Sequence, residues 1–403
     1  MVPVPFLGAV KASFWRGGTS KGVFLSLQDL PDWFQTALRS GKAPSETEFS
    51  SMQTFFSAIM GSPDPYGRQL NGMGGGISSL SKAMVVGPPT RSGADLDYTF
   101  FQVGIKDGKL DMAGNCGNLS SAVGPFALNA AIYRYGASRD ETKQPTTTSL
   151  QKGQNQTITM KMRNTNTNKI IESSFPACLI DGNWQYQQRG TTSIDGVPST
   201  SSNITLSFLD PEGSKTQRAL PTGNPIDLLE IDDFSIEASL IDVSNPGIFI
   251  RGQDVGWKHG ATPDELNADR SLMEKLEKIR RKGTERMGLD PNISSIPKIV
   301  LLFPTTKEGI DISSQALSME QAHKAVPVTL ALNLGVACKM TGTIPHQLSQ
   351  HLNPSNTVIG HPSGTLEVGA DFHGSHIRSA QLIRTSRCLM EGYVNTSGAE
   401  DQD

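Results

Sequence analysis

The chain has 403 residues, 36% hydrophobic and 19% charged, enough apolar surface for two domains of ordinary size and too much for a disordered polymer. A formal charge of -3 argues against broad adhesion to nucleic acid or to an anionic membrane, so no nucleic-acid or membrane partner is expected and an anionic ligand has to be met by local design. The four cysteines, Cys116, Cys178, Cys338 and Cys388, are far apart and form no C-x-x-C pair, which excludes an obvious disulfide framework or thiolate zinc site and suggests a reducing compartment. The apolar start at residues 1–10 lacks a basic leader, so the cytosol is the expected location. The 40 glycines and 6% aromatics favour tight turns over a helix-dominated body, and the chain reads as α+β.

Residues 11–24 read as a β-hairpin around Arg16-Gly17-Gly18-Thr19-Ser20-Lys21-Gly22, a turn that exposes backbone N–H groups to an anion. A helix is expected after Ser45, where Ser45-x-x-Glu48 is a capping box and Phe49, Met52, Phe55, Phe56 and Ile59 recur at helical spacing. The glycine loop Asn71-Gly72-Met73-Gly74-Gly75-Gly76-Ile77-Ser78-Ser79 then runs through Leu80 and Ser81 into a strand that starts at Lys82. After a strand at 98–105, Asn115-Cys116-Gly117-Asn118 leads straight into an apolar helix over 119–135, stopped by Gly136, which puts Cys116 at a helix N-terminus.

A polar stretch with one alternating strand follows, and a turn-rich segment near residue 198 suggests a boundary between lobes 1–198 and 199–403, with the last strands free to return to the first lobe. The second half shows two strands around an Asn245-Pro246-Gly247 turn, a charged helix from Thr262 to about Gly288, a capping box at Ser318-Met319-Glu320-Gln321 and a second apolar helix over 327–340. Each half thus offers one buried helix and several strands, which points to a weak internal duplication.

A thiol at a helix N-terminus ionises more easily, because backbone N–H groups and the helix dipole favour the anion, so Cys116 is a candidate acid or base beside its more ordinary role as a small buried hydrophobe. Lys82, where a glycine and serine loop enters a strand, would serve as a base if buried beside other cations; most lysines are only solvated charges. Arg16 with Thr19 and Ser20 could hold carboxylates through the guanidinium and the turn N–H groups. His323-Lys324 and His361-Pro362-Ser363-Gly364 are further candidate carboxylate contacts in the second half, beside the more ordinary role of a lone histidine as a structural hydrogen-bonder. The glycine loop lacks the G-K-[ST] of a P-loop, and His373 and His376 form an H-x-x-H with no H-E-x-x-H and no cysteine neighbour, so neither nucleotide nor metal binding is expected.

Taken in order, residues 16–22, Gly72-Met73-Gly74-Gly75, Ser81-Lys82, Gly114-Asn115-Cys116-Gly117-Asn118, Asn245-Pro246, His323-Lys324-Ala325 and His361-Pro362-Ser363-Gly364 together resemble the PrpF-like family across nearly the whole chain. The resemblance implies two similar diaminopimelate-epimerase-like lobes, each a β-barrel-like sheet round a central helix, with the active site in a cleft. It also implies an isomerase of unsaturated di- or tricarboxylic acids of the aconitate or methylaconitate type. Lys82 and Cys116 would be the catalytic pair, with no metal and no cofactor. Substrate contacts would come from Arg16, Gly17, Gly18, Thr19, Ser20, Met73, Gly74, Gly75, Ser78, Ser79, Asn115, Gly117, Asn118, Asn245, His323, His361, Ser363 and Gly364. The partner is a small anionic carboxylate, and a homodimer is compatible with the pattern. Asn71, Leu80 and Thr329-Leu330-Ala331 depart from the family pattern, and bulky Leu80 and Leu330 are expected to reshape the pocket. An amino-acid epimerase of the same fold is the chief alternative, with a non-catalytic carboxylate-binding protein behind it; the epimerase would need a second thiol, and Cys338 lies well inside the second apolar helix.

Overall fold

Long runs of Val, Ile, Leu and Phe in the strands are explained by burial on both faces. The computed structural model describes residues 8–133, 155–258, 260–354, 356–374 and 376–396. Most of the polar stretch before the strand at 155, and Gly136, lie outside these residues. The chain packs as two compact units, one holding residues up to 112, 118–206 and those from 384 onward, the other holding 113–117 and 207–383.

In the first unit, β1 (Ala9–Gly17) and β2 (Ser20–Ser26) form a hairpin turned by Gly18 and Thr19, with Gly18 at φ +52°. Helices α1 (Asp32–Arg39) and α2 (Glu46–Met60) follow; the Ser45 and Glu48 capping box is formed and left-handed Gly61 ends α2. Strand β3 (Lys82–Gly87) runs parallel to β2, and β4 (Leu96–Val103) antiparallel to β3. After short β5 (Leu110–Asp111) comes α3 (Gly117–Asn129), then β6 (Asn155–Asn164) parallel to β4, β7 (Lys169–Ile180), β8 (Asn183–Tyr186) and β9 (Ile204–Leu209). One face of these strands meets α3 through Leu119, Val123 and Phe126, all buried. The other face, with Val23, Leu25, Ala83, Val85 and Phe101, packs in one core with Phe34, Met52, Phe55, Phe56 and Ile59 of α1 and α2.

The second unit runs β10 (Asp227–Ile231), β11 (Phe234–Val243), β12 (Asn245–Arg251), α4 (Pro263–Ala268), α5 (Arg270–Arg286), β13 (Lys298–Phe303), β14 (Ile312–Ser318), β15 (Gln321–Ala322), α6 (Val328–Ala337), α7 (Ile344–Leu348), β16 (Asn356–His361), β17 (Gly364–His373) and β18 (His376–Arg384). The last strand, β19 (Ser386–Asn395), pairs antiparallel with β1.

The ladder of the first unit recurs in the second. An antiparallel hairpin (β1–β2, β11–β12) is followed by a parallel return (β2–β3, β12–β13), an antiparallel pair (β3–β4, β13–β14), a second parallel return (β4–β6, β14–β16) and an antiparallel pair (β6–β7, β16–β17). Gly22 of β2 is pressed between the Lys82 carbonyl and Leu119 of α3, where a Cβ would meet them at 2.7 and 2.9 Å. Gly247 of β12 pairs with Lys298 and is pressed on Leu330 of α6, at 2.9 Å from a Cβ. The two central helices therefore align Leu119 with Leu330, Asn118 with Thr329 and Cys116 with Pro327. Leu330, 0% exposed, is a core residue packed on Gly247 of β12.

Several local readings change. Helix α3 stops at Asn129 because Ala131, at φ +55°, takes the left-handed position and the N–H groups of Ala131 and Ile132 turn back to the carbonyls of Leu128 and Ala127. Ser318-Met319-Glu320-Gln321 is no helix cap: Met319 and Glu320 both have positive φ and close a two-residue hairpin between β14 and β15. The charged helix is broken at Asp269, whose side chain caps α5 through the Leu272 N–H. The turn between β11 and β12 is made by Ser244 at φ +64°, and Asn245 already belongs to β12.

Candidate active site

Lys82 is the first residue of β3 and is 8% exposed. Its Nζ donates to Gln102 Oε1 and lies 5.1 Å from the centre of the Phe100 ring. The amide of Gln102 is oriented without ambiguity: its Nε2 donates to the carbonyls of Ser81 at 2.8 Å and Ser78 at 3.1 Å, so the oxygen has to face the lysine. Gln102 was not singled out from the sequence; the one signal was an amide directly after the apolar pair Phe100-Phe101.

The glycine loop is wired to the same spot. Gln69, 1% exposed, donates through Nε2 to Ser62 Oγ and Ser81 Oγ, both at 2.8 Å, and accepts from the Gly76 N–H at 3.0 Å. Gly74 has to be glycine because a Cβ would lie 2.3 Å from the Gln69 side chain, and Gly75 is closed off by Leu80. The Met73 and Gly74 N–H groups are spent on the carbonyls of Ile59 and Met60 at the end of α2. Ser78 and Ser79 form a short helical turn that delivers the chain to Lys82.

At the β1–β2 turn, Asn118 of α3 exchanges hydrogen bonds with Thr19, accepting from its N–H at 3.4 Å and donating to Oγ1 at 3.1 Å. A Cβ on Gly18 would collide with Asn118 Oδ1 at 2.1 Å, and one on Gly17 with the Asn118 carbonyl at 2.6 Å. Ser20, at the start of β2, is buried. Arg16 is partly committed: Nη1 donates to Gly18 O, Thr385 O and Thr385 Oγ1 at 2.9 to 3.0 Å, bracing the turn against the chain entering β19. Its Nε and Nη2 have no hydrogen-bond partner among the described residues. Burial lowers the Arg16 pKa, with Tyr186 opposing and Arg387 adding to the effect. Arg384, absent from the sequence reading, is buried beside Gly18, and burial brings its guanidinium down to about 9.

Residues 113–117 pack with the second unit, so the half-buried Cys116, immediately before α3, is held there. Asn245 donates from Nδ2 to the Asn115 carbonyl at 3.3 Å and to Thr329 Oγ1 at 2.9 Å. Gly117 lies on the start of α6, where a Cβ would strike Val328 Cγ1 at 2.4 Å. His323 and His361 each use Nδ1 to accept a local N–H, from Ala325 at 3.0 Å and Ser363 at 3.2 Å, so a neutral ring carries its proton on Nε2. Ser363 Oγ donates to the Lys324 carbonyl, which brings the His323 and His361 segments together, with Gly364 opening β17 behind them.

Cys338 and Cys388 are poor proton carriers. Cys338 caps the far end of α6, fully buried, and burial raises its pKa to about 12; burial likewise raises Cys388 to about 11. Iodoacetamide at pH 8 is expected to leave Cys338 unlabelled until the chain is unfolded, and peptide mass mapping that finds it labelled in the native protein would contradict this placement.

The chain matches the PrpF protein family over residues 8–397. It is 32% identical to 2-methyl-aconitate isomerase of Shewanella oneidensis and 33% identical to 3-methylitaconate isomerase of Eubacterium barkeri, covering 96% of both chains in each case. A crystal structure of methylitaconate-delta-isomerase superposes with a TM-score of 0.71 at 31% identity over 98% of each chain. A hydroxyproline epimerase from Agrobacterium vitis shares the fold alone, at TM-score 0.51 and 10% identity over 96% of this chain and 92% of that one. A family match over residues 8–397, together with relatives 32% and 33% identical along 96% of its length, shows that the chain belongs to the PrpF family.

Proposed function

We propose that this isomerase acts on an unsaturated di- or tricarboxylic acid of the aconitate or methylaconitate type and moves protons on it with Lys82 and Cys116. The observation that carries the reading is the setting of Lys82, a buried amine held by the oxygen of an amide that cannot rotate. Gln102 Oε1 accepts equally from an amine and from an ammonium, so Lys82 can take up and release a proton without losing its position.

The chemistry follows from these groups. Lys82 in its amine form removes an allylic proton, and the electron pair spreads through the double bond into a carboxylate. Backbone N–H groups of the first turn of α3, with the uncommitted guanidinium atoms of Arg16, offset that charge, whereas the Gly18 and Thr19 N–H groups of the β1–β2 turn are spent on the Thr385 carbonyl and Asn118 Oδ1. The Cys116 thiol returns a proton at the far carbon, which shifts the double bond; return after rotation about the former double bond exchanges cis and trans instead. The thiolate is then reprotonated from Lys82 or solvent.

An amino-acid epimerase that pairs two thiols fits this chain poorly, because Pro327 stands at the α6 position that matches Cys116 and Cys338 is at the opposite end of the helix. A proton NMR screen of aconitate, methylaconitate, itaconate-type and oxalomesaconate acids in deuterated water is expected to show one of them isomerised with deuterium incorporated. All four acids unchanged after long incubation, with tight carboxylate binding by calorimetry, would overturn the reading in favour of a binding protein.

A further inference from the structure

Asn245 was expected among the substrate contacts, yet it is 1% exposed and both bonds from its amide nitrogen end inside the protein. One of them reaches the carbonyl of Asn115, and that carbonyl shares a rigid plane with the N–H of Cys116. Fixing this carbonyl fixes the peptide that enters the cysteine. The preceding residue, Gly114, also lies on Asn245, with a Cβ position 3.4 Å from Nδ2. On the other side of the cysteine, Gly117 is stopped by Val328 and Thr329. The thiol-bearing residue is therefore gripped before and after by the same pair of elements, β12 and α6.

The grip is itself backed. Thr329 Oγ1 takes the second bond from Asn245 Nδ2, and one helical turn later Asn333, 0% exposed, donates to the Asn245 carbonyl at 2.9 Å and to the Ile241 carbonyl at 2.7 Å. Asn333 thus ties the β11–β12 turn to α6, and Asn245 passes that rigidity to the cysteine segment. Buried amides cost free energy to desolvate, so three polar side chains in this core call for a role beyond packing.

We propose that Asn245, supported by Thr329 and Asn333, is a positioning residue that sets the direction of the Cys116 thiol. It touches neither substrate nor reacting atoms; it acts through the Asn115–Cys116 peptide. The proposal rests on the reading of Cys116 as a proton carrier.

The test compares Asn245→Ala, Thr329→Val and Thr329→Ser with Cys116→Ser in the same isomerisation assay. Asn245→Ala and Thr329→Val are expected to lower kcat by about 10- to 100-fold, with KM moving less than about 3-fold, because a displaced proton donor harms the reacting step rather than binding. Thr329→Ser keeps the hydroxyl and is expected to restore most of kcat. The iodoacetamide rate of Cys116 and its pH profile are expected to change in the first two variants and not in the serine variant, a readout that loss of packing at equal fold would not move. Thr329→Val serves if Asn245→Ala does not fold, as judged by circular dichroism. An inactive Cys116→Ser beside Asn245→Ala and Thr329→Val with unchanged kcat and unchanged thiol reactivity would overturn the positioning role alone. A fully active Cys116→Ser would instead overturn the underlying reading.

Discussion

Lys82→Ala is expected to lower turnover by about 10²- to 10⁴-fold, the range that a positioned proton-transfer group contributes. The loss should fall on kcat, because the amine sits on Gln102 in the resting protein and is expected to do its work on a proton rather than on a carboxylate. Cys116→Ser should be impaired over the same range, but the two variants are expected to differ in deuterated water. With the base removed, neither isomerisation nor exchange of the allylic proton takes place. With the thiol replaced, Lys82 can still remove and return that proton, so exchange continues while the double bond stays where it is. Retained isomerisation and exchange in both variants, followed by NMR, would remove this pair from the mechanism.

The largest stability effect is expected at Asp97 and Arg163, neighbours in the short parallel ladder between β4 and β6. Arg163 donates from Nε to Asp97 Oδ1 at 2.8 Å and from Nη2 to Oδ2, while Thr90 adds its N–H and hydroxyl to Oδ2 at 2.9 and 2.7 Å. The side chains are 10% and 8% exposed. Asp97→Ala leaves a guanidinium buried without its partner, and a loss of about 3–5 kcal/mol is expected from urea unfolding at pH 7. The double variant Asp97→Asn with Arg163→Met is expected to recover part of it, because both charges are gone. Burial by itself would raise the Asp97 pKa, but the hydrogen bonds from Arg163 and Thr90 outweigh it and hold the carboxyl below its ordinary value. A lowered folded-state pKa means the stabilisation is complete above the unfolded value, near pH 4, and is lost as pH falls through the folded value. The gap between wild type and Asp97→Ala should therefore narrow at pH 2 to 3. Equal urea midpoints at pH 7 would show that the pair does not hold the ladder.

Local patterns were legible where the interactions that decide them are local. The Ser45 and Glu48 box closes on itself within one turn, and the apolar runs of α3 and α6 can only be buried helices. Ser318-Met319-Glu320-Gln321 misleads for the converse reason. The same four-residue spacing suits a helix start, but two adjoining strands were available to pair and closed it as a hairpin. Asn245-Pro246-Gly247 looks like a turn by composition, whereas the turn falls one residue earlier because Gly247 has to lie flat on Leu330 and pair with Lys298.

The sequence by itself determined the family, the α+β class, the two apolar helices and the nomination of Lys82 and Cys116, since ordered motifs and periodicity survive without coordinates. Only the tertiary structure decided how the donors are spent. It ties one nitrogen of Arg16 to Gly18 and Thr385, sets Gln102 under Lys82, makes Leu330 the counterpart of Leu119 and buries Asn245 against the peptide before Cys116. Hydrogen-bond partners and burial depend on residues tens to hundreds of positions away, and no window along the chain contains them.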